Sequence, residues 1–164
     1  MRRTLLAAFV TYVALADAAF LRAQGADFSG SWILDSERSG PETQGISPQV
    51  SFPTELVIKQ DAGELRLQTS TTRQDTHAFA YKLDGTQATT KLPDGTIVTG
   101  RVAWNGLNLV MTSKRTFTSE LLGEFITDYA EEYSVAGGVL TVRRTQVAGG
   151  VELKGTAVYT KGSL

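Results

Sequence analysis

This sequence predicts an all-β fold: an antiparallel up-and-down meander of about 8–10 strands closing into a barrel. Three observations carry that expectation. Turn signals recur at roughly 8–12-residue spacing from Asp27 onward. Between them, apolar and polar residues alternate. No long stretch keeps a helical period without interruption.

The chain begins with a different pattern. Arg2 and Arg3 precede an apolar run, Leu5 to Ala16, which is followed by small residues at Ala16, Ala18, Ala19 and Ala23. A charged start, a short apolar run and a small-residue zone make a secretory signal over residues 1–23. Cleavage after Ala18 fits the Ala16-Asp17-Ala18 spacing, and cleavage after Ala23 is the alternative. The run is short for a membrane span; an N-terminal anchor that stays attached is the competing reading. The expected location is secreted or periplasmic, with residues 24–164 forming one domain.

Along that domain the strands follow in order. Leu56 and Ile58 share one face, as do Leu65 and Leu67. His77, Phe79, Tyr81 and Leu83 come next, then Val98, Gly100, Val102 and Trp104, then Leu107, Leu109 and Met111. Lys59, Arg66, Lys82, Arg101, Asn108 and Lys114 occupy the opposite faces. A period of two with one charged face describes half-buried antiparallel strands. Asp61-Ala62-Gly63, Asp84-Gly85, Pro93-Asp94-Gly95, Asn105-Gly106, Gly137-Gly138 and Gly149-Gly150 mark the turns. Ser119 to Phe125 reads as one turn of helix or as a loop. Lys154 to Lys161 reads as a last strand. Ser39 to Pro53 is the one long irregular connection; it either covers a barrel mouth or is a loose connector.

Composition excludes several classes. With 16 basic and 17 acidic residues among 164, the net charge is −1, and no basic stripe suggests nucleic acid. Cysteine is absent, so there is no disulfide framework, thiolate metal site or lipidated cysteine. No metal or cofactor is expected. His77, the only histidine, lacks the partners of a metal cluster or a triad, and haem ligation by it is a remote option. An outer-membrane barrel needs an apolar outer face on every strand. Here the charged faces argue for a barrel with an apolar interior and no integral membrane span in the mature chain.

Gly30-Ser31-Trp32 near the start of the domain resembles the Gly-x-Trp opening of the lipocalins and the wider calycin group, including exported bacterial lipocalin-like proteins. Thr127-Asp128-Tyr129 resembles a second lipocalin motif, and Arg143 or Arg144 a third. The resemblance implies a barrel that holds small apolar molecules. Trp32 would plug one end, with Arg143, Arg144 or Lys161 packed across it. The sequence departs from the family at Tyr133, which sits one place late, in its missing disulfide and in its lack of an evident C-terminal helix.

Candidate ligand residues follow from register. If Val135 pairs with Leu140, then Tyr133 faces Val142, Glu131 faces Arg144 and Glu132 faces Arg143. Tyr133, Glu131 and Arg144 would then share the interior face, and the Glu132–Arg143 pair would lie outside. A partly exposed ladder pair is the plainer alternative for Glu131 and Arg144. Arg115 continues the face of Leu109 and Met111, pointing inward or at the rim. Two interior arginines with Tyr129 or Tyr133 suit a ligand carboxylate, as in fatty-acid-binding barrels by analogy of chemistry. Phe79, Tyr81, Trp104 and Phe117 would line the interior. The expected function is binding of a small apolar or amphipathic ligand. The alternative is a non-enzymatic structural or protein-interaction domain with a filled core. No protein partner is identifiable, and nothing beyond these Tyr, Glu and Arg residues supports an enzyme.

Overall fold

The structure is a computed structural model that describes residues 25–41, 50–71 and 75–162. The expected signal segment, residues 1–23, lies outside the described residues. Eleven strands are present: β1 (Gly30–Leu34), β2 (Gly40–Pro41), β3 (Glu55–Gln60), β4 (Glu64–Ser70), β5 (Thr76–Lys82), β6 (Ala88–Lys91), β7 (Ile97–Asn105), β8 (Asn108–Ser119), β9 (Gly123–Ala136), β10 (Val139–Ala148) and β11 (Val151–Lys161).

Every pairing is antiparallel. Around the sheet the order is β5-β4-β3-β1-β11-β10-β9-β8-β7-β6, with β2 on the edge of β11. The first strand therefore joins the last, as a meander does when it wraps onto itself to hide its edges. Ten strands run round the barrel and the two-residue β2 is the eleventh. The seam lies between β5 and β6, where β5 also borders β7. Asp84 bridges Ala103 there, and Gly85 N donates to Val102 O at 3.0 Å. The barrel is nearly closed.

Alternation dictates which side faces in. Leu56, Ile58, Leu65, Leu67, Val102 and Leu109 are all buried, while Lys59, Arg66, Arg101 and Lys114 between them are exposed. The 137–138 loop joins β9 to β10 in the expected register. Both glycines take positive φ, 57° and 75°, as a two-residue hairpin loop needs. Val135 pairs with Leu140 and Tyr133 with Val142, so Glu131 meets Arg144 and Glu132 meets Arg143.

The barrel's two ends differ. At the closed end Trp32 and Phe28 are fully buried, and Trp32 Nε1 donates to Phe28 O at 2.8 Å. Lys161 Nζ lies 5.3 Å from the Trp32 ring centroid. The cation across the tryptophan is thus Lys161, since Arg143 and Arg144 sit further along β10 on the ladder with β9. The opposite end is the mouth.

Local expectations are corrected at three places. Residues 119–123 form no helical turn: the β8–β9 ladder runs out to Ser119↔Gly123, and Phe117 pairs with Phe125 at 6.5 Å between ring centroids. The β7–β8 loop is Gly106-Leu107 rather than Asn105-Gly106, because Asn105 pairs with Asn108 and Gly106 takes φ +63° at the first loop position. Leu107 is therefore exposed and does not continue the Leu109 face. No described helix is long and apolar enough to cross a membrane.

Candidate ligand site at the barrel mouth

A polar cluster sits inside the mouth. Its centre is Glu131, buried on β9, with Arg144 opposite it on β10. Arg144 Nε lies 2.7 Å and Nη2 2.5 Å from Glu131 Oε1. Tyr133 Oη donates to Glu131 Oε2 at 3.3 Å. The two charged side chains are 4% and 11% exposed, which rules out a solvated ladder pair. The outer pair, Arg143 and Glu132, lies 3.8 Å apart in solvent.

Arg144 also holds the connection between β1 and β3. Its Nη1 donates to Ser51 O, and its guanidinium lies 4.7 Å from the Phe52 ring centroid. Tyr159 Oη donates to Pro53 O at 3.0 Å. Residues 50–53 thus form a strap across the mouth, while residues 42–49 of the long connection lie outside the described residues. The strap lies close to β11 at Gly155. A Cβ there would stand 3.1 Å from Gly40 O and 3.2 Å from both Phe52 and Val50. Glycine permits that approach, and β2 takes up the β11 edge beside it.

Two guanidiniums approach the Tyr129 ring, Arg115 at 5.1 Å and Arg144 at 5.4 Å from its centroid. Arg115 Nε is buried and has no hydrogen-bond partner among the described residues; the same holds for His77 Nδ1. Below this cluster, Leu56, Leu67, Phe79, Tyr81, Met111 and Val142 wall a cavity. The space open to the centre of a water-sized sphere is about 30 Å³; counted out through the open mouth, the hollow reaches about 480 Å³. As it stands the inner space admits two or three waters, at roughly 10–15 Å³ each.

Burial sets the electrostatics. It works against the Arg144 charge, but attraction from Glu131 offsets it and holds Arg144 above its ordinary value. Burial, reinforced by the Glu131 charge, pushes Tyr81 up to about 12 and Tyr133 well above its usual range. Tyr159 is raised mainly by burial. Among the described residues no group of three His, Cys, Asp or Glu could hold a metal ion.

Of the residues singled out from sequence, Arg115, Tyr129, Glu131, Tyr133, Arg144, Phe79 and Tyr81 all line this one cavity. Trp104 does not. It packs at the closed end, 6.0 Å from the Phe28 ring centroid, because it lies on β7 two residues before the Gly106-Leu107 loop. Phe117 lies beyond the mouth and is exposed. Tyr159 was not foreseen; the Ser51–Pro53 strap is the end of the Ser39–Pro53 connection, for which covering a barrel mouth was one of the two readings. Tyr159 follows the alternation of the last strand; nothing local marks the anchors of the strap.

Removing one member of the buried pair should be costly. Glu131→Leu is expected to lower the unfolding free energy by about 3–5 kcal/mol, and Glu131→Leu with Arg144→Met to regain most of it. Urea unfolding measures both; a single variant as stable as the parent would contradict burial of the pair. Alkaline pH should also destabilise. The folded state keeps the Tyr81 and Tyr133 protons where the unfolded chain begins releasing them, near 10. Stability is therefore full below that pH and falls as pH rises from 10 towards about 12. The urea midpoint should drop across this window, with buried tyrosinate absorbance appearing together with unfolding. A midpoint unchanged across it would contradict burial of these phenols.

No family model matches the sequence, and no curated protein matches it. Solved structures do. A REP1-NXSQ fatty acid transporter superimposes with a TM-score of 0.53 at 18% identity, covering 83% of this chain and 96% of that one. A zebrafish ileal bile acid-binding protein complexed with cholic acid gives 0.55 at 15% identity, covering 82% and 98%. A secretory abundant heat soluble protein from Ramazzottius varieornatus gives 0.53 at 18% identity, covering 82% and 95%. At these identities the likeness shows the fold, and the fold is that of a calycin-type β-barrel.

Proposed function

We propose that this barrel binds a small amphipathic molecule with an anionic head, a long-chain carboxylate being the simplest. The observation that carries the reading is the charge of the mouth cluster. Two guanidiniums, Arg115 and Arg144, flank the Tyr129 ring; Arg144 is paired with the buried Glu131 carboxylate, while Arg115 has no ion-pair partner among the described residues. Arg115 Nε, buried and unpartnered, is the free donor. A ligand carboxylate there would gain charge-assisted hydrogen bonds, and its tail would lie along the apolar walls below. The fatty acid transporter and the cholic acid complex of the same fold support the ligand class.

The size of the inner space favours a second reading, a filled-core structural or protein-interaction domain. A drug-sized ligand needs about 300–1,000 Å³, so a tail enters only if the strap or wall side chains move. Calorimetric titration with palmitate separates the two readings. Palmitate is expected to bind and hexadecanol, lacking the charge, to bind far more weakly. Arg115→Gln should weaken palmitate by about 10-fold or more, since a hydrogen bond to a charged group contributes about 1.5–3 kcal/mol. No heat with palmitate, or equal affinity for the alcohol, would favour the filled core.

The same proposal places the protein outside the cytoplasm, secreted or periplasmic. Its support is the Arg2-Arg3 start, the apolar run and the small-residue zone ending at Ala23. N-terminal sequencing of the mature protein from its host should begin at Ala19 or Gln24. A start at Met1 would overturn export by cleavage.

A further inference from the structure

The β8–β9 hairpin is longer than the sheet around it. Its ladder continues to Ser119↔Gly123, but β7 stops pairing with β8 at Ile97↔Thr116, and β10 stops pairing with β9 at Ala148↔Thr127. Residues 117–125 therefore stand clear as a two-stranded ribbon, projecting about 10 Å at roughly 3.3 Å per residue. A bare ribbon of this kind is only marginally stable in water, yet it carries large apolar side chains. Leu121 is 94% and Leu122 75% exposed at its apex. Phe117 and Phe125 are exposed on the inward-facing side, Ile126 on the outward side and Ile97 beside it. Val151, the first residue of β11 after the adjacent 149–150 turn, is exposed at the same end. Elsewhere among the described residues the exposed large apolar side chains are Ile33 and Leu107. Concentration at one end marks an interaction surface.

The shape selects the partner. A second copy, or a protein receptor, needs a broad apolar face of fixed form. Here the apolar side chains stand at a narrow apex and on the inward face, with Ile126 at the outward base and the polar pair Thr118 and Glu124 between them; a projecting tip of this form suits insertion into a fluid apolar medium. The projection matches the roughly 5–10 Å to which apolar side chains enter the headgroup and acyl boundary. Charge selects the headgroup: Glu120 and Glu124 are the only charged residues between positions 116 and 126, so an anionic surface is repelled. We propose that the β8–β9 tip docks the barrel mouth onto a zwitterionic lipid surface by immersing Phe117, Leu121, Leu122 and Phe125. Docking does not require that the cavity hold a ligand, and its test is independent of the palmitate titration.

The chain has no cysteine, so a single introduced one labels uniquely. Leu121→Cys and Leu107→Cys, each carrying a nitrobenzoxadiazole dye in the full chain, place probes at opposite ends of the barrel. Leu107, 65% exposed, is the matched control. With phosphatidylcholine vesicles, the dye at 121 should shift to the blue and brighten several-fold, and the dye at 107 should not change. Adding Leu122→Glu to the 121-labelled protein should reduce vesicle partitioning at least 10-fold while its circular dichroism stays unchanged. Silence at both positions overturns the proposal. So does a response at 107 instead, which would assign the membrane contact to the closed end. A shift at 121 that grows with protein concentration without vesicles would assign the tip to a second copy. Tighter binding to phosphatidylglycerol vesicles would overturn the choice of headgroup.

Discussion

The Arg144 guanidinium is a permanent charge held away from water, and the mouth half of the barrel is arranged around it. Arginine cannot shed its proton to escape burial, so every donor must be met. Glu131 meets Nε and Nη2, and Ser51 O meets Nη1. The rings of Phe52 and Tyr129 cover the guanidinium. Those partners come from β9 and from the β1–β3 connection, while Arg144 itself rides on β10. A register slip of one residue between β9 and β10 would send Glu131 to the other face. The ion pair and the sheet register are therefore one constraint seen at two scales.

That arrangement limits the chemistry of the mouth. An isolated buried ion pair seldom adds stability, because desolvation of both ions consumes the attraction. Its effect here is local order: Glu131 fixes Arg144, and Arg144 in turn fixes the strap. Arg115 is held differently. It stacks near Tyr129, yet its Nε finds no acceptor, so it differs from Arg144 in having unmet hydrogen-bonding capacity. An anion at the mouth would meet one guanidinium already engaged by Glu131 and one with a free donor. For the anionic ligand proposed above, the asymmetry favours a single monovalent head group over a diacid.

Much of this was legible in the sequence, and the limits have physical causes. Alternation identified the interior of β3, β4, β5, β7 and β8, because a half-buried strand must alternate. The Gly137-Gly138 loop fixed the β9–β10 register, and with it the inward direction of Glu131 and Arg144. Trp104 shows where alternation runs out. Facing inward is a property of parity, while height along the barrel depends on how strands pair. Trp104 faces the interior at the wrong end for the cavity. That Ser39 to Pro53 covers the mouth was one of two readings open from the sequence; its anchors were not legible, since Ser51, Phe52 and Pro53 lie in a segment with no period. Nor does any local pattern show that β8 and β9 outrun their neighbours. That follows only from where β7 begins and β10 ends.

The two ends of the barrel divide stability from access. The closed end is held by Trp32 and Phe28, both without exposed surface, and burying aromatic side chains this large is the strongest packing a small barrel has. The mouth is covered by a strap whose polar anchors are two neutral carbonyls, on Ser51 and Pro53. A neutral carbonyl is a weaker acceptor for a guanidinium than a carboxylate. Local opening follows the weakest contacts, so the mouth is expected to open before the plug. Entry to the narrow interior is then governed at the end where Arg115, Arg144 and the projecting β8–β9 ribbon all lie.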